Sequence, residues 1–240
     1  MRKKVIVTGG AGYIGSHTVV ELFLSGYLPI IVDNLCNTSK KNLIGVNKIL
    51  NTKLPFHKTD CTDFEEMEKI FNYYDEIYAC IHLAAFKSVN ESVVKPNKYY
   101  KNNVGSTKVL LKCLNKNKYK NFMFSSSCAL YGNPDIIPVD ENAPFNKAIS
   151  PYGETKQHCE ILIKKNSCNS ISLRYFNVIG SHDSGLIGDY SKHCTTNLVP
   201  IVTEVVCSFR DKLIINGNDY NTHDGTGVRD YIHVQDLAVA

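Results

Sequence analysis

The chain has 240 residues, 43% of them hydrophobic and 21% charged, and a net charge of +4. That apolar content can bury a sizeable core and excludes a disordered chain, and the lysines, scattered in pairs such as Lys40-Lys41 and Lys164-Lys165, form no basic stripe for nucleic acid. The nine cysteines are odd in number and include no Cys-x-x-Cys, so a disulfide framework and a zinc pattern are excluded and reduced, buried thiols are expected.

In chain order, the opening MRKKVIVTGG is basic, but its apolar run is three residues long. It is too short for a signal peptide or a membrane span, so no membrane association and a cytoplasmic location are expected. Residues 4–8 (KVIVT) read as a buried strand, followed by a glycine-rich turn and a helix over 12–24. Residues 28–32 (LPIIV) read as a second strand and 54–58 as a third. A helix over 63–71 has Asp63 as its cap, and 77–83 (IYACIHL) is a fourth strand. One long helix is predicted over 95–115, a fifth strand over 121–125 (NFMFS), a helix over 151–165 and a sixth strand over 171–175. Ser150 suits the cap of that last helix and Pro151 its first turn.

Strand and helix alternating in this way imply parallel strands joined by crossover helices. The expected class is therefore α/β, with residues 1–175 forming a Rossmann-like doubly wound parallel sheet. After Tyr175 the rhythm breaks. Residues 181–196 are polar with several glycines, and 219–227 (DYNTHDGTG) form a long loop. Residues 176–240 are expected to form a smaller unit over the carboxyl edge of the sheet, where such folds bind ligands.

The first turn reads TGGAGYIGSH, with Gly9, Gly12 and Gly15 between a strand and a helix. Glycines there let the backbone approach a pyrophosphate resting on the helix N-terminus. The spacing is Gly-x-x-Gly-x-x-Gly, and a purely structural turn is the competing reading. Asp33 ends the second strand, where a carboxylate holds the adenosine ribose hydroxyls and repels a 2′-phosphate, favouring NAD over NADP. Asp60 ends the third strand within reach of the adenine.

Ser125, Ser126 and Ser127 follow the fifth strand in FSSSCALYG, and SPYGETK then opens the helix with Tyr152 and Lys156 four residues apart. Such residues share a helix face. A free tyrosine ionises near pH 10, so a neighbouring ammonium that favours the phenolate makes Tyr152 a usable general base. Tyr-x-x-x-Lys alone arises by chance on many helices. The ordered combination of glycine turn, Asp33, serine run and Tyr/Lys helix does not.

The stretches VTGGAGYIGSH, VDNLCN, HLAAFKSV, YYKNNV, FSSSCALYG, SPYGETK, LRYFNVIG and GNDYNTHDGTGVRDYIHVQDLA cover nearly the whole chain. Together they resemble the extended short-chain dehydrogenase/reductase superfamily and, within it, the UDP-glucose 4-epimerases. The resemblance implies NAD-dependent inversion at C4 of UDP-glucose and UDP-galactose through a 4-keto sugar. It implies Tyr152 as base, Ser127 bonded to the reacting oxygen, and Lys156 on the nicotinamide ribose. It places Tyr13, Ile14, Asp33, Asn34, Leu35, Cys36, Asn37, Thr38, Asp60, Cys61, Leu83, Ala84, Ala85, Phe86, Lys87, Asn102 and Phe176, with the glycine turn, around NAD. It places Lys87, Ser127, Tyr152, Asn177, Asn197, Leu198, Asn216 and Arg229 around the UDP-sugar, in a partial sugar-nucleotide-binding region over 176–240 whose last residues return to the sheet. It also implies a homodimer through the helix from Lys95 and the helix carrying Tyr152.

Related sugar-nucleotide dehydratases need an acidic pair after the first active-site hydroxyl, but Ser127 is followed by Cys128 and Ala129. Three departures concern the substrate half. Val178 stands where the family has proline, and Thr195 and Thr196 replace Pro-Asn before Asn197. The chain also stops at Ala240 in a helix just begun, so a C-terminal part of the sugar site is expected to be missing. A non-catalytic NAD-binding fragment and another sugar-nucleotide oxidoreductase of this fold are the alternatives. His193 and Cys194 adjoin without a second ligand pair, so no metal is expected. His82 is expected to be a hydrogen-bonded core residue.

Overall fold

Residues 1–191 and 197–240 are described by the computed structural model. The chain runs β1 (Lys4–Thr8), α1 (Tyr13–Leu24), β2 (Leu28–Val32), α2 (Lys41–Ile49), β3 (Phe56–His57), α3 (Phe64–Tyr73) and β4 (Ile77–His82). It continues through α4 (Val89–Val94), α5 (Pro96–Tyr99), a π-helical stretch (Tyr100–Val104), α6 (Gly105–Asn117) and β5 (Asn121–Ser125). A 3-10 turn (Cys128–Tyr131), α7 (Pro151–Lys164), β6 (Asn169–Leu173), β7 (Asn177–Ile179), α8 (Leu198–Val206), β8 (Tyr231–His233) and α9 (Val234–Val239) complete it.

The six-stranded sheet has the order β3-β2-β1-β4-β5-β6 with every pair parallel. Successive strand residues point to opposite faces, so each buried strand feeds two cores. Ile6, Cys80, Phe122 and Phe124 pack against Met67, Phe71, Leu110, Leu114 and Ile163 of α3, α6 and α7. Val5, Val7, Ile31 and Ile81 pack against Val19, Val20 and Val46 of α1 and α2. Each such side chain contributes about 1.5–3 kcal/mol through burial. The strand order reverses between β1 and β4, which opens a crevice at their carboxyl ends.

Two expected caps are present. Asp63 accepts from the Glu66 N–H at 3.1 Å, and Ser150 accepts from the Gly153 N–H at 3.2 Å with Pro151 in the first turn. Three expected elements differ. β3 spans two residues because it pairs only with Ile31 and Val32 at the end of β2. β6 starts two residues earlier, since its register begins at Asn121↔Asn169 and its outer residues are exposed as befits an edge strand. The single helix over 95–115 is instead α5, the π-helical stretch and α6.

β7 and β8 pair in parallel, Asn177 opposite Tyr231 and Ile179 opposite His233, and α9 then packs on α1. The 180–191 segment crosses back over the sheet edge. The Tyr13 hydroxyl donates to the Gly180 carbonyl at 2.5 Å, and the Asn42 amide exchanges two 3.1 Å bonds with the Gly188 backbone. His193, Cys194, Thr195 and Thr196 lie outside the described residues. Among the described residues no helix is long and apolar enough to cross a membrane.

Candidate active site

The glycine turn is built for close backbone approach. Gly9 has φ +71°, and a Cβ there would lie 2.7 Å from the Ala84 nitrogen. A Cβ at Gly15 would lie 2.1 Å from the Gly9 carbonyl oxygen. Helix α1 has no side-chain cap, and Gly12, Tyr13, Ile14 and Gly15 of its first turn face a cavity. Uncapped first-turn amides at the positive end of a helix suit a diphosphate.

Asp33 is 8% exposed at the end of β2. Its carboxylate accepts from the Ala11 N–H at 3.2 Å and the Leu35 N–H at 2.8 Å, which holds it at the cavity wall. Asn34 donates to Asp60 at 3.0 Å beside it. Burial works to raise the Asp60 carboxyl, but hydrogen bonds from Thr62 and Asn34 take it below its ordinary value. The wall continues through Cys36, Asn37, Thr38 and Cys61, then residues 83–87 and Asn102. The glycine turn, the Asp33 carboxylate and this wall together suit a dinucleotide.

At the other end stand Ser125, Ser126, Tyr152 and Lys156. Lys156 is 2% exposed, and its Nζ donates to the Ser125 carbonyl at 2.6 Å and lies 5.8 Å from the Tyr152 ring centroid. Burial lowers Lys156 to about 8, partly opposed by Cys159 and Glu160. Burial also raises the Tyr152 phenol above its ordinary value, while the facing Ser127 hydroxyl favours ionisation. Among the protein's own groups burial is the largest influence on Tyr152, and the Lys156 ammonium is turned to the Ser125 carbonyl. Ser127, 9% exposed, sits outside the cavity wall and caps the 3-10 turn, accepting from the Ala129 N–H at 3.2 Å.

Two cofactor candidates stand apart from the wall. Leu35 is buried with φ 59°, and Phe176 is 38% exposed. The substrate candidates are more scattered. Lys87 lies on the wall. Asn177 donates to the Asp230 carbonyl at 3.1 Å, which brings it beside Arg229. Arg229 itself is exposed, although its charge is felt at Cys128, next to Ser127. Leu198 is 50% exposed, and Asn197 and Asn216 are exposed. None of these five is on the cavity wall.

Sequence reasoning missed Thr59, Ser106, Tyr175, Asp189 and Ser191, all on the wall. Asp189 pairs with Lys87 at 3.6 Å across the cavity. Tyr175 adjoins Phe176 in the LRYFN stretch, and alternation at a strand end is the signal that points it inward. Asp189 and Ser191 carried no signal, because nothing local shows that their loop crosses the sheet edge. His82 is a core residue, bonded to Thr8 at 2.8 Å and Ser106 at 3.2 Å, and burial lowers it to about 3. Among the described residues no cluster of His, Cys, Asp or Glu is arranged to hold a metal.

Residues 5–240 match the NAD dependent epimerase/dehydratase family. The chain is similar to the UDP-glucose 4-epimerase of Dictyostelium discoideum, 46% identical over 98% of this chain and 69% of the relative. The Homo sapiens UDP-glucose 4-epimerase is 43% identical over 99% of this chain and 71% of the relative. The structure is similar to that of the Bifidobacterium longum UDP-glucose 4-epimerase in complex with NAD+ and UDP. There the TM-score is 0.93 and the identity 42%, covering 98% of this chain and 72% of that one. The family match spans residues 5–240, which hold the glycine turn, Asp33 and the serine, tyrosine and lysine of one cleft, and the chain belongs to the NAD dependent epimerase/dehydratase family.

Proposed function

We propose that the chain catalyses NAD-dependent epimerisation at C4 of UDP-glucose and UDP-galactose. The observation that carries this reading is Tyr152, faced by Ser127 and one helical turn from Lys156, at the far end of the cleft from the dinucleotide cradle. A bound NAD would supply reversible hydride transfer at C4 of the sugar, and the positive charge of its ring would favour the Tyr152 phenolate. The first turn of α1 holds the diphosphate, and Asp33 holds the adenosine ribose. Tyr152 moves the proton of the 4-hydroxyl, Ser127 bonds the same oxygen, and Lys156 supplies the cation beside them. Arg229 and Lys87 offer cations to the substrate diphosphate. The absence of an acid at Cys128 and Ala129 supports epimerisation over dehydration.

We also propose a cytoplasmic homodimer, with residues 1–175 as the cofactor unit and 176–240 as the sugar-nucleotide unit. The dimer is supported by exposed apolar side chains on neighbouring helices, Val93 and Val94 of α4 and Ile161 of α7. A second reading, cofactor binding without turnover, is favoured by α8, which buries none of its residues. The deciding experiment gives the purified chain UDP-galactose and NAD. Formation of UDP-glucose, lost on Ser127→Ala or Tyr152→Phe, supports epimerisation. NAD binding with no conversion supports the second reading.

A further inference from the structure

Helix α7 carries a third polar residue on the face of Tyr152 and Lys156. Glu160 is one turn past Lys156 and 9% exposed. Arg174, just beyond β6, grips it bidentately, with Nε at 3.0 Å and a terminal nitrogen at 2.7 Å. The same carboxylate accepts the Ser126 hydroxyl at 2.5 Å, and Ser126 is 1% exposed. Arg174 further donates to the Tyr131 hydroxyl at 2.9 Å, at the end of the 3-10 turn that Ser127 caps. The carboxylate therefore ties the serine run to the helix from both ends of that turn. A buried ion pair is a poor source of net stability, because desolvation offsets its attraction, whereas its geometry is directional.

We propose that Glu160, held by Arg174, is a positioning residue that sets Ser127 against Tyr152 and keeps the Lys156 ammonium in place beside them. This rests on the epimerase reading for its effect on turnover. Ser126 is the neighbour both of Ser127 and of Ser125, whose carbonyl receives Lys156. One bond to Ser126 thus fixes both partners of Tyr152. Charge acts in the same direction. Lys156 meets Cys159 and Glu160 on its own helix, His82 from β4 and the Ser125 carbonyl from β5. Burial holds His82 neutral and raises the Cys159 thiol, which keeps it uncharged, so Glu160 is left as the anion that supports the ammonium.

The test compares Glu160→Gln and Ser126→Ala with the parent chain. Two readouts are used: conversion of UDP-galactose with NAD, and acetylation of Lys156 by acetic anhydride against pH, followed by mass spectrometry of its peptide. In Glu160→Gln, kcat is expected to fall at least tenfold, on the order expected for misplaced reacting groups, with KM little changed. Its Lys156 is expected to become reactive at lower pH, because the anion supporting the charge is gone. Ser126→Ala keeps the ion pair, so kcat falls by a smaller factor and the labelling curve stays with the parent. Parent kcat and parent labelling in both variants overturn the proposal. If Glu160→Gln does not fold, an unchanged kcat in Ser126→Ala overturns it. If the parent itself converts no sugar, the epimerase reading fails separately, and the labelling shift alone decides: an unmoved curve overturns the positioning role.

Discussion

Burying an ammonium costs free energy, and Lys156 shows the cost. Burial takes it from 10.5 to about 8, a penalty of about 3 kcal/mol on the charged form. Between those values the unfolded chain holds more protons than the folded one, so stability rises with pH through that window and the penalty is full below about pH 8. Lys156→Met is expected to remove that penalty, less about 1–3 kcal/mol for the lost bond to the Ser125 carbonyl. Its melting temperature relative to the parent should therefore be more favourable at neutral pH than near pH 10, while turnover is lost. An equal offset at both pH values would sink this. Tyr152→Phe is expected to lower kcat roughly 10²–10⁴-fold, the usual range for a general acid–base, while NADH still binds by fluorescence titration. Full activity in that variant would remove Tyr152 as the base. At this scale the placement of the site was legible where an ordered set of types marks it, since Asp33, Tyr152 and Lys156 all line the cavity. It was not legible where burial decides. The spacing placed Lys156 beside Tyr152 but did not show the ammonium turned to a carbonyl, nor Tyr175 facing the cleft in place of Phe176.

The glycine turn makes a graded prediction at the scale of an element. A methyl at Gly15 would lie 2.1 Å from the Gly9 oxygen, so α1 must move off the turn, whereas one at Gly12 would lie 3.1 Å from the same atom. Gly15→Ala is expected to weaken NADH binding by at least tenfold, on the order of a lost helix-terminus phosphate contact, and Gly12→Ala by less. Equal titration curves for the two variants would show that the close approach at Gly15 is unimportant. Strands and helices with regular apolar spacing were read nearly to the residue, β1, β2 and β5 among them. Helix α2 was missed for a physical reason. Of its three buried positions Asn42 and Gly45 are not apolar, and only Val46 is. Gly45 is there because a Cβ would lie 2.1 Å from the Leu186 carbonyl, and Asn42 because it bonds the Gly188 backbone. A helix shaped to receive a distant loop hides its period. The π-helical stretch within 95–117 is similar. Asn103 there bonds both backbone groups of Phe86, at 2.9 and 3.0 Å, and no periodicity reveals that.

The described surface leaves apolar side chains exposed, which the proposed dimer would cover. Val93 and Val94 of α4 are 61% and 77% exposed, and Ile161 of α7 is 44% exposed. The two helices pack against each other. A two-fold interface uses the same patch on both copies, so one substitution is counted twice and a single charge meets its like across the axis. Sedimentation of the purified chain is expected to give about twice its 26.9 kDa mass. Ile161→Glu is expected to return it to the monomer mass, with a melting temperature that no longer depends on protein concentration. A competing patch exists on the edge strand, where Ile171 is 59% exposed beside an open cavity bounded by β4, β5, β6 and α9. The two substitutions separate the cases. If Ile171→Glu dissociates the dimer and Ile161→Glu does not, the copies meet through the sheet. Because α7 also carries Tyr152 and Lys156, dissociation by Ile161→Glu makes turnover in the resulting monomer the measure of how far the interface holds the catalytic helix in place.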